Sequence, residues 1–281
     1  MPTPQRKLPV PSGLDNSSMI TSTANEHVKY VRSLHRRRNR YRERVFIAEG
    51  LRAVEEATKA GIQPAFLFHT TAILEQPRAR SVVSTAATRG VQVKVVSDGV
   101  MADMSDTVTP SGLLAVLAMP EPGIPSPLTW ALVVDRLRDP GNMGTILRSA
   151  LAAGVQLVIT TRGTVDVYSP KVVRAGMGAH LRLKLCLNQA PRAIARILEE
   201  VRVLLAQPRA GSPYWEIDWR QPTALWIGGE AQGASTEARR LAAGTVTIPM
   251  REDVESLNAA VAASILLFEA SRQRFGSSSE C

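Results

Sequence analysis

From residue 128 onward the chain repeats one pattern: a short apolar run that does not alternate, then a stretch with helical spacing. The runs are LTWALVVD, VQLVIT, LRLKLCL, VRVLLAQ, TALWIGG and TVTIPM. Helical patterns over 143–153, 171–178 (opened by Ser169-Pro170), 190–200 and 235–243 lie between most of them. A strand with one wet face alternates apolar and polar residues, so a run without alternation has to be covered on both faces. Such runs interleaved with helices predict an α/β domain built on a parallel sheet. No internal repeat is visible.

The upstream half reads as a smaller α/β unit. VFIAEGLRAVEEATKAG gives a strand-like start and a helix closed by Gly61, and PAFLFHT, VQVKVVS and GLLAVLAM read as short strands. Between the halves, MPEPGIPSPL carries prolines at 120, 122, 125 and 127. Proline removes backbone donors and favours extended chain, which predicts a linker. The expected organisation is therefore a tail over 1–18, a first domain over 19–118, a linker over 119–127, a second domain over 128–274 and a tail over 275–281. With 281 residues, 44% of them hydrophobic, both domains can bury cores.

The formal charge of +9 and a pI near 10.1 favour a polyanionic partner, nucleic acid before membrane. The excess is concentrated in HVKYVRSLHRRRNRYRER, residues 27–44, with eight Lys or Arg, one acid, and Tyr30 and Tyr41 interleaved. One-signed charge leaves no i,i+4 partners, and arginine suits bidentate phosphate contact. Arg36, Arg37, Arg38 and Arg40 are the expected nucleic-acid contacts, to the backbone rather than to particular bases. Cys186 and Cys281 offer neither a disulfide framework nor metal spacing, and the four histidines are scattered, so no metal is expected. No apolar stretch approaches membrane-spanning length, and the first residues lack a secretory apolar segment. A cytoplasmic protein is the expectation.

The connection after the first run of the second half is LRDPGNMGTILRSALAAG, residues 137–154. Asp139-Pro140-Gly141 is turn chemistry, and Asn142 is a candidate N-cap for a helix starting at Met143. Arg148 lies four residues after Gly144, so its side chain is expected to lean over that bare position toward the first turn. A guanidinium beside free helix N–H groups makes a phosphate-sized site; an exposed arginine on a surface helix is the plainer alternative. In ALWIGGEAQGAS a buried strand ends at Gly228-Gly229-Glu230, where open α/β sheets bind ligands. In TVTIPMREDVESLNAAVAASILLFEASRQRF a strand ends at Met250, a polar loop follows, and Ser256 is the expected cap of a long helix. That helix is apolar on nearly every side, which suits a core helix that also forms a subunit interface.

Taken in order, NMGTILR, IGGEAQG and IPM…SLNAAVAASILLFE resemble the three sequence elements of the SpoU/TrmH branch of the SPOUT RNA methyltransferases. ITSTANEHVKYVRSL through FIAEG to SGLLAVLAMP resembles the substrate-binding domain of many ribosomal-RNA members, which is similar to the ribosomal-protein L30e fold. The resemblance implies a C-terminal trefoil knot, a homodimer, S-adenosylmethionine held in the knot, and methyl transfer to a ribose 2′-hydroxyl, in ribosomal RNA before transfer RNA. Carried over by position, Asn142, Arg148, Glu230, Ser256 and Asn258 form the catalytic group, while Gly228, Ile248 and Leu257 line the cofactor pocket. Two positions depart from the pattern: Gly229, where many members carry a side chain, and Gly176, where serine is frequent.

Family accounts often make Arg148 the base. A guanidinium is a poor base, and holding a phosphate while stabilising the developing alkoxide needs no unusual protonation. Glu230 either orients Arg148 or its loop, or caps the next helix. Asn258 can offer both a donor and an acceptor. Two rivals are a non-catalytic RNA-binding protein of ribosome assembly and a nucleotide-dependent metabolic enzyme. The first leaves the intact Asn142, Arg148, Glu230 and Asn258 without a purpose. The second would want a G-x-G-x-x-G after the first strand, and none is present.

Overall fold

The computed structural model describes residues 19–229, 233–251 and 254–276; the expected site residue Glu230 lies outside them. The chain forms two compact units, one of residues up to Pro120 together with Tyr168–Leu181, the other of Glu121–Val167 with the residues from Arg182 on.

In the first unit, α1 (Glu26–Ser33) and α2 (Arg37–Glu43) lead into β1 (Val45–Glu49), α3 (Leu51–Lys59), β2 (Phe66–His69), α4 (Pro77–Thr88), β3 (Gln92–Val95), α5 (Asp98–Met104) and β4 (Leu113–Ala118). The sheet order is β1-β4-β2-β3, with β4 antiparallel to both neighbours and β2 parallel to β3. β4 is central, which is why LLAVL is buried throughout. One face packs Val28, Val31 and Leu34 against Phe66, Phe68, Met101 and Met104. At about 1.5–3 kcal/mol for each large apolar side chain taken out of water, such a cluster dominates the favourable side of folding.

The expected boundary of the second domain needs one correction. Residues 168–181, inside the 128–274 span, pack in the first unit. This segment carries α7 (Pro170–Gly176). Its Tyr168 and His180 rings lie 5.1 and 6.4 Å from Phe46 of β1, and Tyr168 meets Tyr41 of α2 at 6.3 Å. Arg174 pairs with Asp106 and stands 3.9 Å from Glu49. Burying three aromatic rings and pairing a cation outweighs sequence continuity. The same packing accounts for Gly176: a Cβ there would lie 2.5 Å from Cε1 of the buried His180.

The second unit contains β5 (Trp130–Asp135), α6 (Pro140–Ala152), β6 (Leu157–Thr161), β7 (Lys184–Gln189), α8 (Pro191–Ile197), β8 (Arg202–Ala206), β9 (Ser212–Pro213), β10 (Thr223–Gly228), α9 (Thr236–Leu241), β11 (Gly244–Thr247) and α10 (Ala259–Gly276). Every strand pairing in its sheet is parallel, in the order β7-β6-β5-β10-β8-β11-β9. All six apolar runs become strands, and β5 and β6 are buried along their whole length. The two-residue edge strand β9 carries no apolar run and was not legible in the sequence.

Two helix starts differ from the sequence reading. α6 begins at Pro140, because Asp139 is the cap: its carboxylate accepts the Asn142 backbone N–H at 2.7 Å, and proline at the first position sacrifices no donor. Asn142 therefore sits inside the first turn. α10 is capped by Asn258, not Ser256; Oδ1 of Asn258 accepts the N–H groups of Ala260 (2.9 Å) and Val261 (3.2 Å).

Candidate active site

In the second unit, the carboxyl ends of β8, β10 and β11 and the start of α10 surround a cavity of about 460 Å³. Gly228, Ile248, Ser256, Leu257 and Asn258 all line it, so five of the expected site residues meet at one place. Its walls are mostly apolar (Ile227, Met250, Leu266), with backbone exposed at the glycines. Sequence reasoning missed Gln207 and Pro208 at the end of β8. The signal available was weak: a strand end becomes a cavity wall only once its neighbours in the sheet are known.

The glycines are required by close approach. Gly228 pairs with Asp135 across β10 and β5. A Cβ on Gly228 would lie 2.6 Å from the Gly233 carbonyl carbon, and one on Gly229 would lie 2.7 Å from the Arg136 carbonyl oxygen. Backbone, unlike a side-chain tip, cannot step aside, so the side chain seen at position 229 in many members has no room here. Gly229 and Gly233 are instead bridged, with Gly233 N–H donating to the Gly229 carbonyl at 3.1 Å.

A side-chain bond ties the site to α6. Nδ2 of Asn258 donates to Oδ1 of Asn142 at 3.0 Å. Because Oδ1 of Asn258 is committed to capping α10, its amide has one orientation, and the donor end faces Asn142. Farther along, Ser149 and Ser264 hydroxyls meet at 2.7 Å, which fixes the faces that α6 and α10 turn to each other.

The spacing expects Arg148 to lean over Gly144 toward the first turn of α6. Gly144 is buried and Arg148 exposed, on a flank of α6 shared with Thr145 and Ala152. Asn142 and Gly144 are two residues apart, about 200° around the helix, so leaning over one moves a side chain away from the other. Among the described residues Arg148 has no hydrogen-bond or ion-pair partner, and it does not line the cavity of its own chain.

The basic stretch divides. Arg36, Arg37 and Arg38 are exposed, with the Arg37 guanidinium 5.2 Å from the Tyr41 ring centroid. Arg40 is a correction: it is 2% exposed, and its guanidinium donates to the carbonyls of Leu34 (2.6 Å) and His35 (2.8 Å). It holds the turn between α1 and α2 and is inaccessible to RNA. Replacing Arg36, Arg37 and Arg38 together by glutamine is expected to reduce the slope of log affinity for RNA against log salt by about 2–3, with stability unchanged. Arg40→Gln is expected to leave the slope alone and to cost about 2–3 kcal/mol in denaturant unfolding, through lost charge-assisted bonds. An unchanged slope in the triple variant would return these arginines to an inert surface.

Among the described residues no group of three or more His, Cys, Asp or Glu is placed to hold a metal, and no helix is long and apolar enough to cross a membrane. Cys186 is half-buried, and burial pushes its thiol above the usual range.

Comparison with known proteins fits this geometry. Residues 129–268 match the SpoU rRNA Methylase family, and residues 25–115 match the MRM3-like substrate binding domain. The chain is 35% identical to an uncharacterized tRNA/rRNA methyltransferase of Synechocystis, over 92% of this chain and 95% of that protein. It is 32% identical to the 23S rRNA (guanosine(2553)-2′-O)-methyltransferase RlmP of Bacillus subtilis, over 89% and 97% respectively. Among solved structures, the AdoMet-bound rRNA methyltransferase of Sinorhizobium meliloti superposes with a TM-score of 0.77 at 30% identity, over 91% of this chain and 97% of that one. Two units that match in the same order, a cavity at the strand ends and near-full-length relatives leave one assignment: the chain belongs to the SpoU rRNA methylase family.

Proposed function

We propose that this protein transfers a methyl group from S-adenosylmethionine to a ribose 2′-hydroxyl of ribosomal RNA, with the donor held in the cavity between Gly228 and Leu257. The observation that carries this is the joining of that cavity to α6 through the Asn142–Asn258 bond, because it brings a donor pocket and a polar rim together. The cavity suits the cofactor: its volume lies within the range of small-molecule sites, apolar walls can take an adenine, and bare glycine backbone offers hydrogen bonds. Gly228, Ile248 and Leu257 would hold it. When bound, the cofactor would supply a methyl group on a positively charged sulfur: transfer would break that S–C bond, form the O–C bond at the ribose and leave the neutral thioether, with the hydroxyl proton lost to solvent.

The chain's own groups do the orienting. Asn142 and Asn258 present a fixed amide pair beside the cavity, suited to holding the ribose in line. Arg148 supplies positive charge for the neighbouring phosphate and for the alkoxide developing at the 2′-oxygen. Since it is exposed and does not line its own cavity, the functional unit we propose is a homodimer in which the exposed flanks of α6 and α10 meet a second copy. The support is an apolar stripe on α10: Val261, Phe268 and Phe275 are 49, 50 and 58% exposed. We further read the first unit as an L30e-like RNA-binding domain, and the last part of the second as a trefoil knot. β10 inserts between β5 and β8, and α10 returns to α6, which supports a threaded chain end.

Calorimetry tests the pocket. One S-adenosylmethionine is expected to bind per chain, and Ala262→Phe, which fills the cavity from α10, is expected to weaken binding more than tenfold. No binding by the unaltered protein, or undiminished binding by the variant, would remove the cofactor from this cavity. Sedimentation tests the dimer: a dimer is expected at micromolar concentration and a monomer for Phe268→Asp. A fully active monomer would end the composite site.

A further inference from the structure

At the end of β5, directly across from Gly228, the carboxylate of Asp135 is 1% exposed. Three hydrogen-bond donors and one guanidinium converge on it. Oδ1 accepts the Thr161 hydroxyl of β6 at 2.8 Å and has Nε of Arg136 at 3.5 Å. Oδ2 accepts Nε1 of Trp226 on β10 at 3.2 Å and the backbone N–H of Ser235 at 3.1 Å. Ser235 in turn caps α9 by accepting the Ala238 N–H, and the two residues before it, Gly233 and Ala234, are cavity wall. A buried carboxylate is costly to desolvate, and it persists only where donors surround it. The sheet itself does not need a charge here, since the five β5 residues before it are apolar and buried.

The two oxygens have separate tasks. Oδ1 binds strand to strand within the sheet, β5 to β6. Oδ2 binds the sheet to the returning segment that closes the cavity. We propose that Asp135 is a positioning residue for the methyl donor: through Oδ2 it sets the 233–235 wall against the Gly228–Gly229 strand end, and so fixes the width of the cofactor cavity. The proposal rests on the reading of that cavity as the S-adenosylmethionine site. It does not make Asp135 touch the cofactor.

The asymmetry gives a test that a purely structural anchor would fail. Asp135→Asn keeps an acceptor for Thr161 but turns an NH2 toward Trp226 and Ser235, so two donors face a donor. Thr161→Val removes the bond on the other side and leaves the cavity wall attached. The expected result, by calorimetry with S-adenosylmethionine, is at least tenfold weaker binding for Asp135→Asn and a change under twofold for Thr161→Val, although both lower the unfolding temperature. Amide exchange at Ser235 is expected to accelerate in Asp135→Asn while β5 and β6 amides stay protected. If Asp135→Asn does not fold, Trp226→Phe, which keeps the carboxylate and removes one donor, is expected to weaken binding about threefold. Equal cofactor affinity in folded Asp135→Asn and unaltered protein, or matched losses in Asp135→Asn and Thr161→Val, would overturn the proposal. Failure of the unaltered protein to bind would instead overturn the cofactor site.

Discussion

Arg148→Ala is expected to lower methyl transfer at least about 10³-fold while leaving S-adenosylmethionine affinity within twofold. Removing one preorganised charge from a developing oxyanion typically costs about 10²–10³ in rate, and loss of the phosphate contact adds to that. The cofactor is spared because Arg148 does not line the cavity of its own chain. Arg148→Lys separates the two chemical accounts. Lysine keeps the charge and loses the bidentate fork, so an electrostatic role leaves a residual rate of a few per cent at neutral pH. Rapid-quench measurement of a single turnover reads this directly. A full rate in Arg148→Ala would remove the residue from the chemistry. Because the side chain points outward, complementation provides a second readout. Mixing inactive Arg148→Ala with inactive Asn142→Ala is expected to restore activity, since hybrid dimers contain one intact composite site; no recovery would place both groups in a single subunit.

Asn258→Asp is expected to reduce turnover about 10²-fold with little loss of stability. The carboxylate still accepts the Ala260 and Val261 N–H groups, so the α10 cap survives, and a negative charge at a helix start is favourable. What is lost is the donor to Asn142, replaced by an oxygen facing an oxygen across 3.0 Å. Stability by denaturant titration should therefore change by less than about 1 kcal/mol while kcat falls. Asn258→Ala loses cap and bridge together and is expected to cost about 1 kcal/mol more. Equal activity in Asn258→Asp and the unaltered protein would reduce the amide pair to a structural detail.

The parallel sheet of the second unit was legible because its strands are covered on both faces, and burial of that kind writes continuous apolar runs into the sequence. The pocket was legible at Gly228, Ile248 and Leu257, where strand ends and a helix start carry recognisable residues. Other features were not. Capping at Asp139 and Asn258 rather than Asn142 and Ser256 turns on a shift of two or three residues among side chains that all make good caps. Burial of Arg40 is invisible within an arginine-rich stretch, because only the tertiary turn between α1 and α2 distinguishes it from Arg38. The placement of 168–181 in the first unit depends on Phe46, over a hundred residues upstream, and no local pattern encodes so distant a partner. Arg148 shows the same limit: helical spacing alone does not say which face of α6 is covered by α10, where Ser149 and Ser264 meet.

The most direct measurement is nucleoside analysis of ribosomal RNA after incubation with the purified protein and methyl-labelled S-adenosylmethionine. The label is expected in a single 2′-O-methylnucleoside, and it should vanish with Arg148→Ala. Label on a base, or none from a protein that binds the cofactor and the RNA, would contradict a ribose methyl transfer at the rim of this cavity.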